Sequence, residues 1–108
     1  MKILFVCACN LNRSPTFERV FRRLCPQHEV QSAGADYGYP NKLNQKLVDW
    51  ADKIFVMDIS QEMFIRKHFP DAMSKVIIVG VSDQYDVDSE ELVEIAEYWV
   101  NHYFVSSP

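Results

Sequence analysis

Three stretches of this chain run apolar behind a leading lysine: "KILFV" at Lys2–Val6, "KIFVM" at Lys53–Met57 and "KVIIVGV" at Lys75–Val81. A strand with one wet face alternates polar and apolar residues. A strand with no polar face is covered on both sides, as in a parallel sheet enclosed by helices. The sequence between the strands supplies those helices. Phe17, Val20, Phe21 and Leu24 recur at i, i+3, i+4 and i+7 within a predicted helix Pro15–Leu24. His28–Ser32 predicts a fourth strand, closed by Ala33-Gly34 and the turn formers of Asp36–Asn41. A short helix is expected over Lys42–Trp50, and Ser60 is placed to cap another that runs to Phe69, before Pro70-Asp71. The last helix is expected from Asp88 or Ser89, where Asp88 with Glu91 resembles a capping box. Leu92, Ala96, Trp99 and Tyr103, with Val93, Val100 and Phe104, give it a wide apolar stripe.

The expected fold is therefore α/β: a single doubly wound domain over residues 1–108, with a four-stranded parallel sheet in the order 2-1-3-4 and helices on both faces. A chain of 108 residues suits one core, because two would each bury too little surface. In such sheets ligands bind beyond the carboxyl ends of the strands. Cys7 lies at one such end, and Asp58 and Asp83 follow two others. Asp58 is read here as the close of its strand and the start of a turn. Tyr37, Tyr39 and Tyr85 fall in loops that could line an aromatic cleft.

Charge and cysteine usage narrow the possible partners. A net charge of −4 argues against nucleic acid, whose phosphates call for a basic surface. Arg19, Arg22 and Arg23 cluster on a predicted helix and read as a solvated face. The longest apolar run, Ile3–Cys9, is far short of the roughly 20 residues that span a bilayer, so no membrane association is expected. Three cysteines suit a reducing, cytoplasmic setting better than a disulfide framework.

The segment Cys7-Ala8-Cys9-Asn10-Leu11-Asn12-Arg13-Ser14 connects the first strand to the first helix. A loop of this kind directs several backbone N–H groups at one point, and the helix dipole favours negative charge there. Arg13 adds a forked donor set that suits phosphate oxygens. Pro15 is expected at the first helical position, where a missing N–H costs nothing. The positive surroundings favour a thiolate at Cys7, and the Ser14 hydroxyl can donate to it. The result is an anion cradle with a nucleophile at its base.

"VCACNLNRSPTFE" resembles the signature of the low-molecular-weight protein tyrosine phosphatases, Cys-x5-Arg-Ser/Thr after a strand, often continuing Pro-x-x-Glu. The likeness extends to "SAG" at Ser32–Gly34, to "ADKIFVMD" at Ala51–Asp58, and to "VSDQYD" at Val81–Asp86, which resembles the family's general-acid loop. The resemblance implies Cys7 as nucleophile, Arg13 as transition-state clamp and Asp83 as general acid. It further implies that Ala8, Cys9, Asn10, Leu11, Asn12, Ser14 and Tyr85 contact or brace the substrate. Asn10 would hold the loop backbone, Ser14 would stabilise the thiolate, and apolar Leu11 would meet an aryl group rather than phosphoarginine. Three features depart from the pattern. Cys9 stands where glycine is usual, Gln84 follows the acid in place of proline, and the segment between Gly34 and Ala51 is short.

The implied activity is hydrolysis of phosphotyrosine or other aryl phosphate monoesters through a phosphocysteine, on a phosphoprotein or a small aryl phosphate. Inorganic phosphate, sulfate or vanadate would be site ligands. No metal or cofactor is required, since the cradle supplies the positive charge. Two other activities use a similar loop: thiol-dependent arsenate reduction and non-catalytic phosphoprotein binding. The first commonly relays oxidation through later cysteines, and none follows Cys25. A zinc site of Cys7, Cys9, Cys25 and His28 is disfavoured, because a helix over Pro15–Leu24 would separate its ends by roughly 15 Å. Cys25 is therefore expected to be structural.

Overall fold

A computed structural model describes residues 1–36 and 41–105 of the chain. Tyr37 and Tyr39 lie outside the described residues. The elements in order are β1 (Lys2–Cys7), α1 (Arg13–Leu24), β2 (Glu29–Gly34), α2 (Gln45–Trp50), β3 (Lys53–Val56), α3 (Ile59–His68), a 3₁₀ turn (Pro70–Lys75), β4 (Val76–Ile78), α4 (Glu90–Val100) and a π turn (Asn101–Val105). The sheet is parallel throughout in the order β2-β1-β3-β4, as the apolar strands required.

The alternation of β1 divides the core into two layers. Ile3, Phe5 and Cys7 face α1 and α4, where Phe17, Phe21, Leu92, Ala96 and Val100 are buried. Leu4 and Val6 face the other way, onto Val48 of α2 and Ile65 of α3. Helices cover both faces of the central strands β1 and β3, which need no polar side. Strand β4, expected to be enclosed as well, lies at the sheet edge and is only half-buried, with Ile78 exposed.

Several boundaries differ from the sequence reading, each for a local reason. Helix α1 starts at Arg13, and Pro15 sits inside its first turn, where an amide N–H has no intrahelical partner. Helix α3 is capped by Asp58 rather than Ser60. The Asp58 carboxylate accepts from the Ser60 N–H (2.9 Å), and the Gln61 side chain accepts from the Asp58 N–H (2.8 Å). Helix α4 is capped by Ser89, whose hydroxyl accepts from the Leu92 N–H. Asp88 instead adopts a positive φ of 55° and pairs with Arg19 (2.6 Å). Helix α2 begins only at Gln45, because Asn44 caps it while Lys42 bridges to Gly34. Strand β4 ends at Ile78, since Gly80 takes φ 85° and turns the chain toward the site.

The three exposed arginines of α1 form surface pairs: Arg19 with Asp88, Arg22 with Glu18 and Arg23 with Glu97. Among the described residues no helix is long and apolar enough to cross a membrane.

Candidate active site

Cys7 ends β1 at the centre of the sheet, and the chain then wraps around its sulfur before entering α1. The Asn10 N–H donates to Cys7 Sγ at 3.2 Å, and Ser14 Oγ lies 3.0 Å from the same sulfur. Asn10 Nδ2 donates to Ser14 Oγ at 3.0 Å, which leaves the Ser14 proton for its other neighbours. Those are Cys7 Sγ and, farther off, the Ala33 carbonyl at 3.4 Å. An amide N–H and a hydroxyl thus converge on the sulfur.

The sharp turn is made at Asn10, whose φ is 58°. Asparagine tolerates this region far better than most side chains. Cys9, at the position where the family pattern has glycine, does not take a positive φ, so its side chain is accommodated without that strain. Asn10 is pinned from several sides. Its Nδ2 also donates to Ser32 Oγ (2.9 Å), its Oδ1 accepts from Asn41 Nδ2 (2.9 Å), and Ser32 in turn donates to the Glu18 carboxylate.

Gly34 at the end of β2 explains why the loop can lie so close to the sheet. A Cβ there would stand 2.8 Å from the Cys9 carbonyl carbon, 2.9 Å from the Asn10 nitrogen and 3.0 Å from the Ala8 oxygen. These are backbone atoms and cannot rotate away. Gly34→Ala is expected to lower stability by about 1–3 kcal/mol, the usual cost of overpacking. At about 4–8 °C per kcal/mol for a domain near this size, a thermal melt should fall by roughly 5–20 °C. An unchanged melting temperature would show that the loop yields freely.

Arg13 is 2% exposed and is held from below. Its Nη1 donates to Asp58 Oδ2 at 2.6 Å and to the Val81 carbonyl at 2.8 Å. Its Nε is buried and makes no hydrogen bond among the described residues, although Asp83 Oδ1 stands 3.5 Å away. Cys7, Ala8, Cys9, Leu11, Asn12, Arg13 and Asp83 line one cavity of about 80 Å³. Cys7 and Arg13 are its buried walls, and exposed Leu11 and Asp83 form its rim. The rest of a ligand would emerge past Leu11 and Asp83.

Seven of the residues singled out in the sequence thus converge on this cavity. Asn10 and Ser14 brace it from beneath. Tyr85 does not line it, and instead packs half-buried against the α1–α4 core. Cys25 is buried at the C-terminal end of α1, where burial pushes its thiol pKa up. The residue that sequence reasoning missed is Asp58. The sequence signal for it is the Asp-x-x-Gln capping pattern that Asp58 makes with Gln61. One carboxylate oxygen caps α3 while the other holds Arg13.

Burial alone would raise the Asp58 pKa. Hydrogen bonds from Arg13 and from the Ser60 side chain and backbone, with the Arg13 charge, outweigh it and hold the carboxyl at about 2. Its folded pKa is below the ordinary value of about 3.9, so its stabilising contribution is complete above about pH 4 and lost as pH falls through 2. Asp58→Asn is expected to flatten the loss of stability across that window, read from urea midpoints at pH 2 to 5. An unaltered pH dependence would mean that the Arg13 pair contributes nothing to acid stability.

Comparison with known proteins bears on what this site does. A sequence model of the low molecular weight phosphotyrosine protein phosphatase family matches residues 2–46. Across an alignment of 109 positions the chain is 31% identical to a probable low molecular weight protein-tyrosine-phosphatase, EpsP, of Ralstonia solanacearum, covering 80% of this chain and 75% of the relative. In structure it is similar to the tyrosine phosphatase Wzb of Escherichia coli K30 in complex with phosphate, with a TM-score of 0.77 and 24% identity over 94% of this chain and 97% of Wzb. It is also similar to a YwlE mutant from Bacillus subtilis, with a TM-score of 0.74 and 22% identity over 94% and 97% of the two chains. At these identities the structural likenesses speak to the fold alone.

Proposed function

The chain belongs to the low molecular weight phosphotyrosine protein phosphatase family, and we propose that Cys7, Arg13 and Asp83 carry out its hydrolysis of aryl phosphate monoesters. The observation that carries this reading is the pairing, in one small cavity, of a Cys7 sulfur with two hydrogen bonds and a buried Arg13 Nε that makes none, the exposed Asp83 carboxylate standing 3.5 Å from it. An unsatisfied buried guanidinium nitrogen is costly unless an anion completes it, and a phosphoryl oxygen fits that need.

Cys7 attacks phosphorus in line with the departing oxygen. The loop N–H groups and Arg13 hold the equatorial oxygens, where charge accumulates. Asp83 protonates the leaving phenol oxygen, then takes a proton from the water that cleaves the phosphocysteine. Asp58 touches neither substrate nor reacting atoms. It fixes the guanidinium plane, so that Arg13 meets the phosphoryl group without reorganising. A reducing, cytoplasmic setting suits a reaction that needs Cys7 as a free thiol. Phosphate and sulfate should compete with substrate for the cradle. Retention of a nucleophile and an acid in one cavity favours turnover over passive binding, and family membership favours hydrolysis over arsenate reduction.

Leu11 is 53% exposed at the cavity mouth, where an aryl ring leaving the cradle can cover it. Apolar contacts of that size discriminate by about 10- to 200-fold. Turnover of phosphotyrosine, measured as kcat/KM with a chelator present, should therefore exceed that of phosphoarginine by roughly tenfold or more. Leu11→Thr should narrow the gap. Equal or better turnover of phosphoarginine by the unaltered protein would overturn the aryl assignment, and no turnover of either would overturn hydrolysis.

A further inference from the structure

A groove of about 740 Å³ runs beside α3, lined by Asp36, Ser60, Met63, Phe64, Lys67 and His68. Ile59 and Met63, one turn apart on the helix, are 62% and 61% exposed. Solvated helix faces are ordinarily polar, and exposed apolar side chains grouped beside a reactive site mark a place for a partner. The Phe64 ring is set between Lys42, whose Nζ is 4.7 Å from its centroid, and the His68 ring at 4.4 Å.

The groove and the catalytic cavity are separate but are joined through Asp36. Asp36 lines the groove, its N–H donates to the Ala8 carbonyl (2.7 Å), and the Cys9 thiol donates to its carboxylate (3.8 Å). Ala8 and Cys9 are walls of the cavity. The N-terminal end of α3 is tied to the same cavity through Asp58 and Arg13. Along the groove the chemistry changes in order. A carboxylate lies at the cavity end, Met63 and Phe64 in the middle, and Lys67 with His68 at the far end. In a chain of net charge −4, this basic and apolar end is a local exception.

We propose that the groove receives the polypeptide flanking the phosphorylated residue of a protein substrate, and selects an apolar side chain followed by a carboxylate. The proposal rests on the phosphatase reading above. From Ser60 to Lys67 the helix advances about 10 Å at 1.5 Å per residue. An extended peptide covers that in about three residues at roughly 3.3 Å each. The apolar side chain lies against exposed Met63, and the carboxylate reaches Lys67 about two positions beyond it, since four helical residues advance about 6 Å. Asp36 disfavours an acid placed closer to the phosphate.

The test uses phosphotyrosine peptides with an apolar residue followed by Glu, on either side of the phosphotyrosine, and matched peptides with Lys in place of Glu. One acidic peptide should exceed its lysine counterpart in kcat/KM by about fivefold, the upper end for an exposed ion pair, with the difference shrinking as salt rises. Lys67→Glu should reverse the preference, and Met63→Glu should lower kcat/KM for the acidic peptide. Both variants should leave 4-nitrophenyl phosphate turnover unchanged, since neither residue lines the cavity. Indifference of the unaltered protein to the peptide charge, or of the preference to Lys67→Glu, overturns the proposal. So does an equal loss on the nitrophenyl ester. If the unaltered protein hydrolyses nothing, the phosphatase reading falls separately. Peptide affinity by fluorescence anisotropy then judges the groove, and the same indifference to charge overturns it.

Discussion

Cys7→Ser is expected to reduce steady turnover of any phosphate monoester by roughly 10⁴-fold or more, as loss of a covalent nucleophile does elsewhere. It should leave phosphate binding largely intact. The cradle is made of loop N–H groups and Arg13, and Arg13 is positioned by Asp58 and the Val81 carbonyl, none of which involves the sulfur. A serine oxygen can take over the bonds from the Asn10 N–H and the Ser14 hydroxyl that now reach Cys7 Sγ. The chemistry is lost because a hydroxyl at neutral pH is a far weaker nucleophile than a thiolate. Two measurements separate the effects. Initial rates on phosphotyrosine report the nucleophile, and the rise in melting temperature on adding phosphate reports the cradle. Full turnover by Cys7→Ser would displace Cys7 from the mechanism. Loss of the phosphate-induced rise would mean that the sulfur also holds the loop.

Arg13 and Asp58 show how the fold and the site share their parts. Asp58 follows β3 and the buried Met57, starts α3 through its capping box, and clamps Arg13 with its other oxygen. The turn at Gly80 brings the Val81 carbonyl to the same guanidinium. Strand ends β1, β3 and β4 therefore each supply one element of the clamp. This is why the switch region of a doubly wound sheet can hold an anion without an added domain.

Much of this was legible in the sequence. The apolar runs of β1 and β3 pointed to enclosed strands, whereas that of β4 forms an edge strand with Ile78 exposed. The order 2-1-3-4, which suits right-handed crossovers, is the one observed. The loop Cys7–Ser14 stands out through the joint presence of a thiol, a guanidinium and a strand-to-helix turn, and the fold brings Cys7 and Arg13 to one cavity. What escaped had a common cause: it depended on contacts distant in sequence. The Arg13–Asp58 bond spans 45 positions, and nothing local distinguishes a capping aspartate from one that also holds an arginine. Gly34 reads in sequence as part of a motif, whereas the structure shows that it leaves room for backbone atoms 24 to 26 residues earlier. Asp88 looked like a cap by spacing, but its pairing with Arg19 and the bond from its N–H to Thr16 Oγ1 fix it in another conformation. Tyr85, expected from its loop to line an aromatic cleft, packs half-buried against the core and does not line the cavity at Cys7.

Asp83→Asn should cost a factor that depends on the leaving group. Asp83 is 63% exposed at the cavity mouth, within 3.5 Å of Arg13 Nε, and a bound phosphoryl group would sit between that nitrogen and the acid's target. A phenyl phosphate leaves poorly as an anion, so removing the proton donor should lower kcat/KM by about 10²–10⁴-fold. A strongly activated nitrophenyl ester leaves as a stabilised phenolate and should lose far less in phosphorylating Cys7. Hydrolysis of the phosphocysteine also needs Asp83 as a base. The comparison therefore belongs to kcat/KM or the burst phase, which stop at the first step. Asn matches Asp in size, and an exposed ion pair contributes little to stability, so the melting temperature should barely change. Asp86→Asn and Asp88→Asn are the controls. Neither residue lines the cavity, Asp86 offers its carbonyl to the Ser89 N–H, and Asp88 is engaged by Arg19. They should alter the approach to α4 without any dependence on the leaving group. A uniform loss from Asp83→Asn together with a graded loss from Asp86→Asn would move the acid three residues along the loop, to Asp86.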